Sequence, residues 1–287
     1  MAVHLPIVNG AGRFTHTVFA CVTAGYRIEL AIVGPMGAEQ VQPLLGRFVA
    51  DTSRMVPLVA VWAHGSLALG DFQPGRSDLD LVAVVSERLS DRHQADLQRV
   101  HGTLIADVPL AAGLHCAYMA RGELADPGQA HPTWAHREMF DRIVSPVTRR
   151  ELTQGGLNLH GPAPARLVPA VSDQELASYI RGDLRDYWYP HTELHELWLR
   201  DIWVDLGLLT LARASVTLCE GRLISKREAL DVLGRLDAPP EVVRDIYRRR
   251  YEDKQPVSEE WRTQRGRLAR TFVRTGIERV LALPHAR

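Results

Sequence analysis

The sequence predicts an α/β domain, a short mixed sheet with helices, followed by an all-α helical bundle. Three observations carry this expectation. Apolar runs of strand length alternate with amphipathic helical stretches over the first half of the chain. A proline-rich joint, Gly161-Pro162-Ala163-Pro164, then interrupts the pattern. Beyond it the apolar residues recur almost only at helical spacing. The expected units are residues 36–164 and 165–287, with residues 1–35 as an N-terminal extension outside both.

Composition narrows the function classes. Of 287 residues 46% are hydrophobic, and 34 basic side chains balance 34 acidic ones. Such a chain is neither disordered nor fibrous, and a neutral balance disfavours a broad nucleic-acid surface. Cys21, Cys116 and Cys219 are widely separated and form no CxxC pair, which argues against a disulfide framework or a structural zinc. A reducing cytoplasm is the expected compartment, and a monomer the expected state. Apolar stretches such as Leu206 to Leu211 fall short of the roughly 20 residues of a membrane span, and no basic stretch leads into an apolar signal core.

In chain order, His16 to Cys21 and Tyr26 to Val33 read as a short hairpin ahead of Gly34-Pro35-Met36-Gly37, where Met36 is a candidate start. Val41, Leu44, Leu45, Phe48 and Val49 fall at three- and four-residue spacing and predict a helix over 38–50. Leu58 to Trp62 reads as a strand, followed by a Gly65-Ser66 turn, a short helix, and a second strand from Leu79 to Val85. A helix over 91–104, a strand over 114–119 and a short strand over 157–160 complete the first unit. In the second unit, Ser172 with Glu175 and Ser225 with Glu228 have the form of capping boxes, and Ser258 precedes a further long helix.

The segment Gly65-Ser66-Leu-Ala-Leu-Gly70-Asp71-Phe-Gln-Pro74-Gly-Arg-Ser77-Asp78-Leu-Asp80-Leu carries the chemistry. Asp78 and Asp80 stand two apart at the start of a strand, so their side chains leave the same face and can share a divalent cation. Mg²⁺ suits them, being a hard ion that completes its shell with water and substrate phosphates. Gly65 lets backbone approach a triphosphate, and the Ser66 hydroxyl can donate to its oxygens. A bare Asp-x-Asp could equally cap a strand end, but with Gly-Ser upstream and apolar strands on both sides the parts amount to a nucleotide-triphosphate site.

This spacing resembles the nucleotidyltransferase superfamily to which polymerase β belongs. With Asn158-Leu-His160-Gly161-Pro162 and the helical tail, it is similar to the aminoglycoside 3''-type adenylyltransferases, which inactivate streptomycin and spectinomycin. The resemblance runs from about Gly37 and is strongest at Asp78 and Asp80. It implies transfer of AMP from ATP to a hydroxyl by a two-metal Mg²⁺ mechanism, with Asp78 and Asp80 as ligands and Gly65, Ser66 and Ser77 at the nucleotide. The family's basic glutamate falls on His115, which can also accept a proton when neutral but is a poorer ligand for Mg²⁺. The alternative is a strand-edge histidine that only packs.

The resemblance also implies that Arg213 and Lys226 grip the phosphates. Lys226 follows the Ser225 cap at a helix N-terminus, where anions are favoured, whereas Arg213 could instead form an internal salt bridge. Trp188, Glu193, Glu196, Asp201 and Asp205 are candidate contacts for a polycationic substrate; the alternative is a solvated helix face over core tryptophans. His191 and His195 lack the His-Glu-x-x-His pattern of a zinc site. The expected activity is therefore adenylyl transfer to an aminoglycoside or a similar small polyhydroxylated amine. The other readings are transfer to a protein or RNA, and a nucleotide-binding protein without turnover because His115 replaces a glutamate.

Overall fold

The computed structural model describes residues 38–252 and 255–282. The extension 1–35, the hairpin read within it and Met36 lie outside the described residues. α1 (Ala38–Met55) buries the five apolar residues whose spacing predicted it. It runs past the expected end at Ala50 because Thr52 is also buried and Arg47 pairs with Asp51 one turn on.

β1 (Leu58–Ala63), α2 (Gly65–Ala68), β2 (Leu79–Val85), α3 (Asp91–Asp107) and β3 (Leu114–Ala120) follow the expected order. Then come three elements that the sequence pattern did not suggest: β4 (Ala130–Ala135), β5 (Glu138–Ile143) and α4 (Pro146–Gly155). β6 (Leu157–His160) closes the sheet by pairing antiparallel with β1. The strand order is β5-β4-β3-β2-β1-β6, with β2 and β3 parallel and the other neighbours antiparallel. α3 makes the crossover that a parallel pair requires. Its register sets His115 on β3 beside Asp80 on β2.

α1 and α3 cover one sheet face through Phe48, Leu97 and Leu104 against Leu81, Cys116 and Tyr118. On the other face Val82, Val84 and Met119 pack with Leu152 of α4 and Val168. Between Val168 and Val171 the packing changes partners, from this layer to a helical core.

That helical core is built from α5 (Asp173–Asp183), a wide turn at Leu184–Trp188, the short α6 (Tyr189–His191), α7 (Asp201–Glu220), α8 (Lys226–Arg235), α9 (Pro240–Tyr251) and α10 (Glu259–Ala282). Ser172, Ser225 and Ser258 each accept a backbone N–H three residues on, at 3.1 Å. Leu208, Leu211 and Ala212 of α7 pack with Val273 and Ile277 of α10. Among the described residues α7 alone is long and apolar enough to cross a membrane, and half of that stretch is buried in the bundle.

Candidate active site

β1 delivers the chain to Gly65, which turns in the left-handed region at φ 63°. A Cβ there would stand 2.8 Å from Oδ2 of Asp80, so any other residue would strain the turn and displace that carboxylate. The His64 amide donates to the Asp80 carbonyl at 2.9 Å, which ties the turn to β2. Asp78 and Asp80 open into a cleft of about 300 Å³ between the sheet and the helical bundle. Gly65, Ser66, Asp78, Asp80 and His115 line it from one side, and Arg213 and Lys226 from the other.

His115 sits between the carboxylates, with Nε2 4.0 Å from Asp78 and Nδ1 3.7 Å from Asp80. Burial lowers the His115 pKa, but the adjoining Asp80 and the charge of Asp78 outweigh it and raise it overall, against a smaller opposing effect from Arg142. Burial pushes Asp80 upward, yet His115, His64 and Lys226 hold it below the usual carboxylate range. Across the cleft, burial and then the Arg250 and Arg213 charges lower the Lys226 ammonium, with Asp80 and Asp78 opposing. Lys226 is the first residue of α8, above a Ser225–Glu228 capping box.

Two carboxylates important to this cleft were missed at the sequence level. Glu151 accepts from Arg213 Nη2 at 2.9 Å and stands 3.0 Å from His64 Nδ1. The salt bridge weighed as the alternative for Arg213 is thus present, and its Nε also donates to the Ile224 carbonyl. Asp71 is buried and accepts from the Arg227 amide at 3.1 Å and from the Tyr251 hydroxyl. One of the amides at the start of α8 expected to meet phosphate therefore already holds a carboxylate from the sheet half. A local signal existed for Glu151: Ser145 followed by Pro146 marks the start of α4. For Asp71 no local pattern points to its partners.

Ser77 does not reach the cleft, because its hydroxyl accepts from the Gln73 amide at 3.1 Å and closes the preceding turn. Nor does any of Trp188, Glu193, Glu196, Asp201 or Asp205 line it. Trp188 is buried in the helical core, Glu193 pairs with Arg274, and Glu196 is exposed on a separate turn. Asp201 binds the fully buried Arg265, and Asp205 pairs with Arg249, which also holds Asp245. These acids balance buried arginines, a demand that the sequence pattern does not display.

Among the described residues no group of three or more His, Cys, Asp or Glu is arranged to hold a metal ion. Asp78 and Asp80 fit Mg²⁺ in another way, as one or two carboxylates that share the ion with substrate phosphates. Residues 45–119 match the family model of the nucleotidyltransferase domain, a span that contains Gly65, Ser66, Asp78, Asp80 and His115. Residues 45–119 carry a nucleotidyltransferase domain. A comparison with curated proteins finds no match. Among solved structures it is similar to spectinomycin adenyltransferase AAD(9) from Enterococcus faecialis, solved with ATP and spectinomycin. The TM-score is 0.60 and the identity 16%, over 79% of this chain and 98% of that one.

Proposed function

We propose that this protein transfers AMP from ATP to a hydroxyl of a small polyhydroxylated molecule seated in the interdomain cleft. The observation that carries the reading is the convergence of Gly65, Ser66, Asp78 and Asp80 with Lys226 around one cavity. Lys226 and the Ser66 hydroxyl bind phosphate oxygens. Asp78 and Asp80 would hold Mg²⁺, which when bound neutralises charge on the triphosphate. The acceptor oxygen attacks the α-phosphorus as the bond to the β-bridging oxygen breaks, and pyrophosphate leaves with that electron pair. The hydroxyl proton passes to Nε2 of His115. Glu151 and Asp71 are poor alternatives as base, since both already accept from the partners described above.

An aminoglycoside acceptor is supported by the fold shared with the spectinomycin enzyme, and not by the acids of 193–205, which lie off the cleft. Pyrophosphate release tests the proposal. His115→Ala should lower acceptor-dependent release by roughly 10²- to 10⁴-fold with ATP affinity retained, and His115→Glu should remain active. Wild-type release from His115→Ala would remove the proton-acceptor role.

A further inference from the structure

If the transfer proceeds as proposed, the acceptor hydroxyl enters on the His115 side of the carboxylate pair, toward β3, β4 and β5. This wall of the cleft includes Thr133, Arg142, Ser145, Thr148 and Tyr179, with Glu151 one turn beyond Thr148 on α4. The Arg142 side chain is exposed on β5 and makes no hydrogen bond or ion pair among the described residues. Arg142, His115 and Tyr179 line the same cleft, and the guanidinium charge acts on both the imidazole and the phenol.

The β4–β5 hairpin is fixed against the site at some conformational expense. Its two-residue turn, His136-Arg137, holds both residues at positive φ, 53° and 66°, without a glycine. The His136 ring packs edge-on against His115 at 4.9 Å between centroids. Strained backbone of this kind persists where its surroundings hold it.

The other charges of the cleft leave little for a cationic acceptor. Glu151 is engaged by Arg213 and His64, and Asp71 by Arg227 and Tyr251. Asp78 and Asp80 flank His115 and are assigned to the metal. Among the residues that line the cleft, a polyamine placed against this wall would meet a guanidinium and no uncommitted carboxylate. Asp183, one turn beyond Tyr179, acts on the phenol but does not line the cleft, and burial raises its pKa.

We propose that the acceptor carries an anionic group, a phosphate or a carboxylate, near its reactive hydroxyl, and that Arg142 binds this group beside Tyr179. The inference rests on the nucleotidyl-transfer reading and departs from an aminoglycoside acceptor on charge alone. A guanidinium meets either anion through two parallel N–H donors, so specificity and orientation come together.

The test compares acceptors that share a scaffold: glucose 6-phosphate for phosphate, glucuronate for carboxylate and glucose as the neutral parent, with streptomycin and spectinomycin as polycations. Pyrophosphate release from ATP and Mg²⁺ is measured for wild type, Arg142→Ala and Arg142→Glu, with ATP affinity measured by calorimetry. The expected result is turnover of one anionic sugar above glucose and above both drugs. Arg142→Ala should then lower kcat/KM for that sugar about 10- to 100-fold, mainly through KM, with ATP affinity unchanged. Arg142→Glu should lower it further. Preference for either drug, or an unchanged KM in Arg142→Ala, overturns the anionic acceptor. ATP binding without release from either anionic sugar also counts against it, and reduced ATP affinity in Arg142→Ala reassigns the residue to the nucleotide. Absence of ATP binding in wild type would instead remove the nucleotidyl-transfer reading itself.

Discussion

Gly65 is held at a φ of 63°, which residues with side chains rarely adopt, and an added methyl carbon would stand 2.8 Å from the Asp80 carboxylate oxygen, which would have to move aside. Such a residue is legible in sequence because its requirement is local: Gly-Ser, a turn, and Asp-x-Asp on the following strand. His101 shows the opposite case. It is buried, stacked on Trp134 at 4.6 Å and hydrogen-bonded to the Tyr118 hydroxyl at 2.8 Å, none of which its neighbours in sequence suggest. Burial, with a smaller effect of the His115 charge, lowers its pKa from 6.5 to about 3. Below pH 6.5 the unfolded chain therefore takes up a proton that folded His101 refuses until about pH 3. Its contribution to stability is complete above pH 6.5 and is lost as pH falls through that window, at a slope approaching about 1.4 kcal/mol per pH unit. Urea denaturation at pH 7 and pH 5 should show a steeper loss for wild type than for His101→Phe. Equal slopes would show that this histidine does not set the acid sensitivity.

Among the elements, those with a clean period were readable and those with a mixed one were not. α1 carries five apolar residues on one face, and β2 is almost wholly apolar after Asp80. β4 instead buries His131 and Thr133 together with Trp134, while β5 is largely exposed, so neither shows the expected alternation. Their turn also lacks the Asn-Gly that marks a tight hairpin. The physical origin of that omission is testable. Replacing the pair by His136→Asn with Arg137→Gly should relieve left-handed strain and stabilise the fold by about 1 kcal/mol, since such conformations cost roughly 1–2 kcal/mol per ordinary residue. Transfer activity should fall in the same variant, because His136 no longer packs on His115. A gain in stability with full activity would separate the hairpin from the site.

For the whole molecule, the joint between the layers is held by carboxylates of the sheet half: Glu151 to Arg213, and Asp71 to the start of α8 and Tyr251. Sequence resemblance placed Arg213 in the cleft but could not show that Glu151 claims it, because the two meet only after both layers are packed. Arg213→Ala should consequently destabilise the protein by about 3 kcal/mol, leaving Glu151 buried beside His64 without its guanidinium partner, and not merely weaken ATP binding. A melting temperature equal to wild type would show that the bridge is dispensable. The cleft that these ties hold open is the part of the molecule on which the functional account stands. Its most direct test is acceptor-dependent pyrophosphate release from ATP and Mg²⁺, compared between wild type and Asp80→Asn. Release by wild type is expected, with a loss of about 10²- to 10³-fold or more in the variant and an unchanged circular dichroism spectrum. Equal release by both proteins would contradict the proposed transfer, because the carboxylate beside Gly65 would then have no part in the reaction.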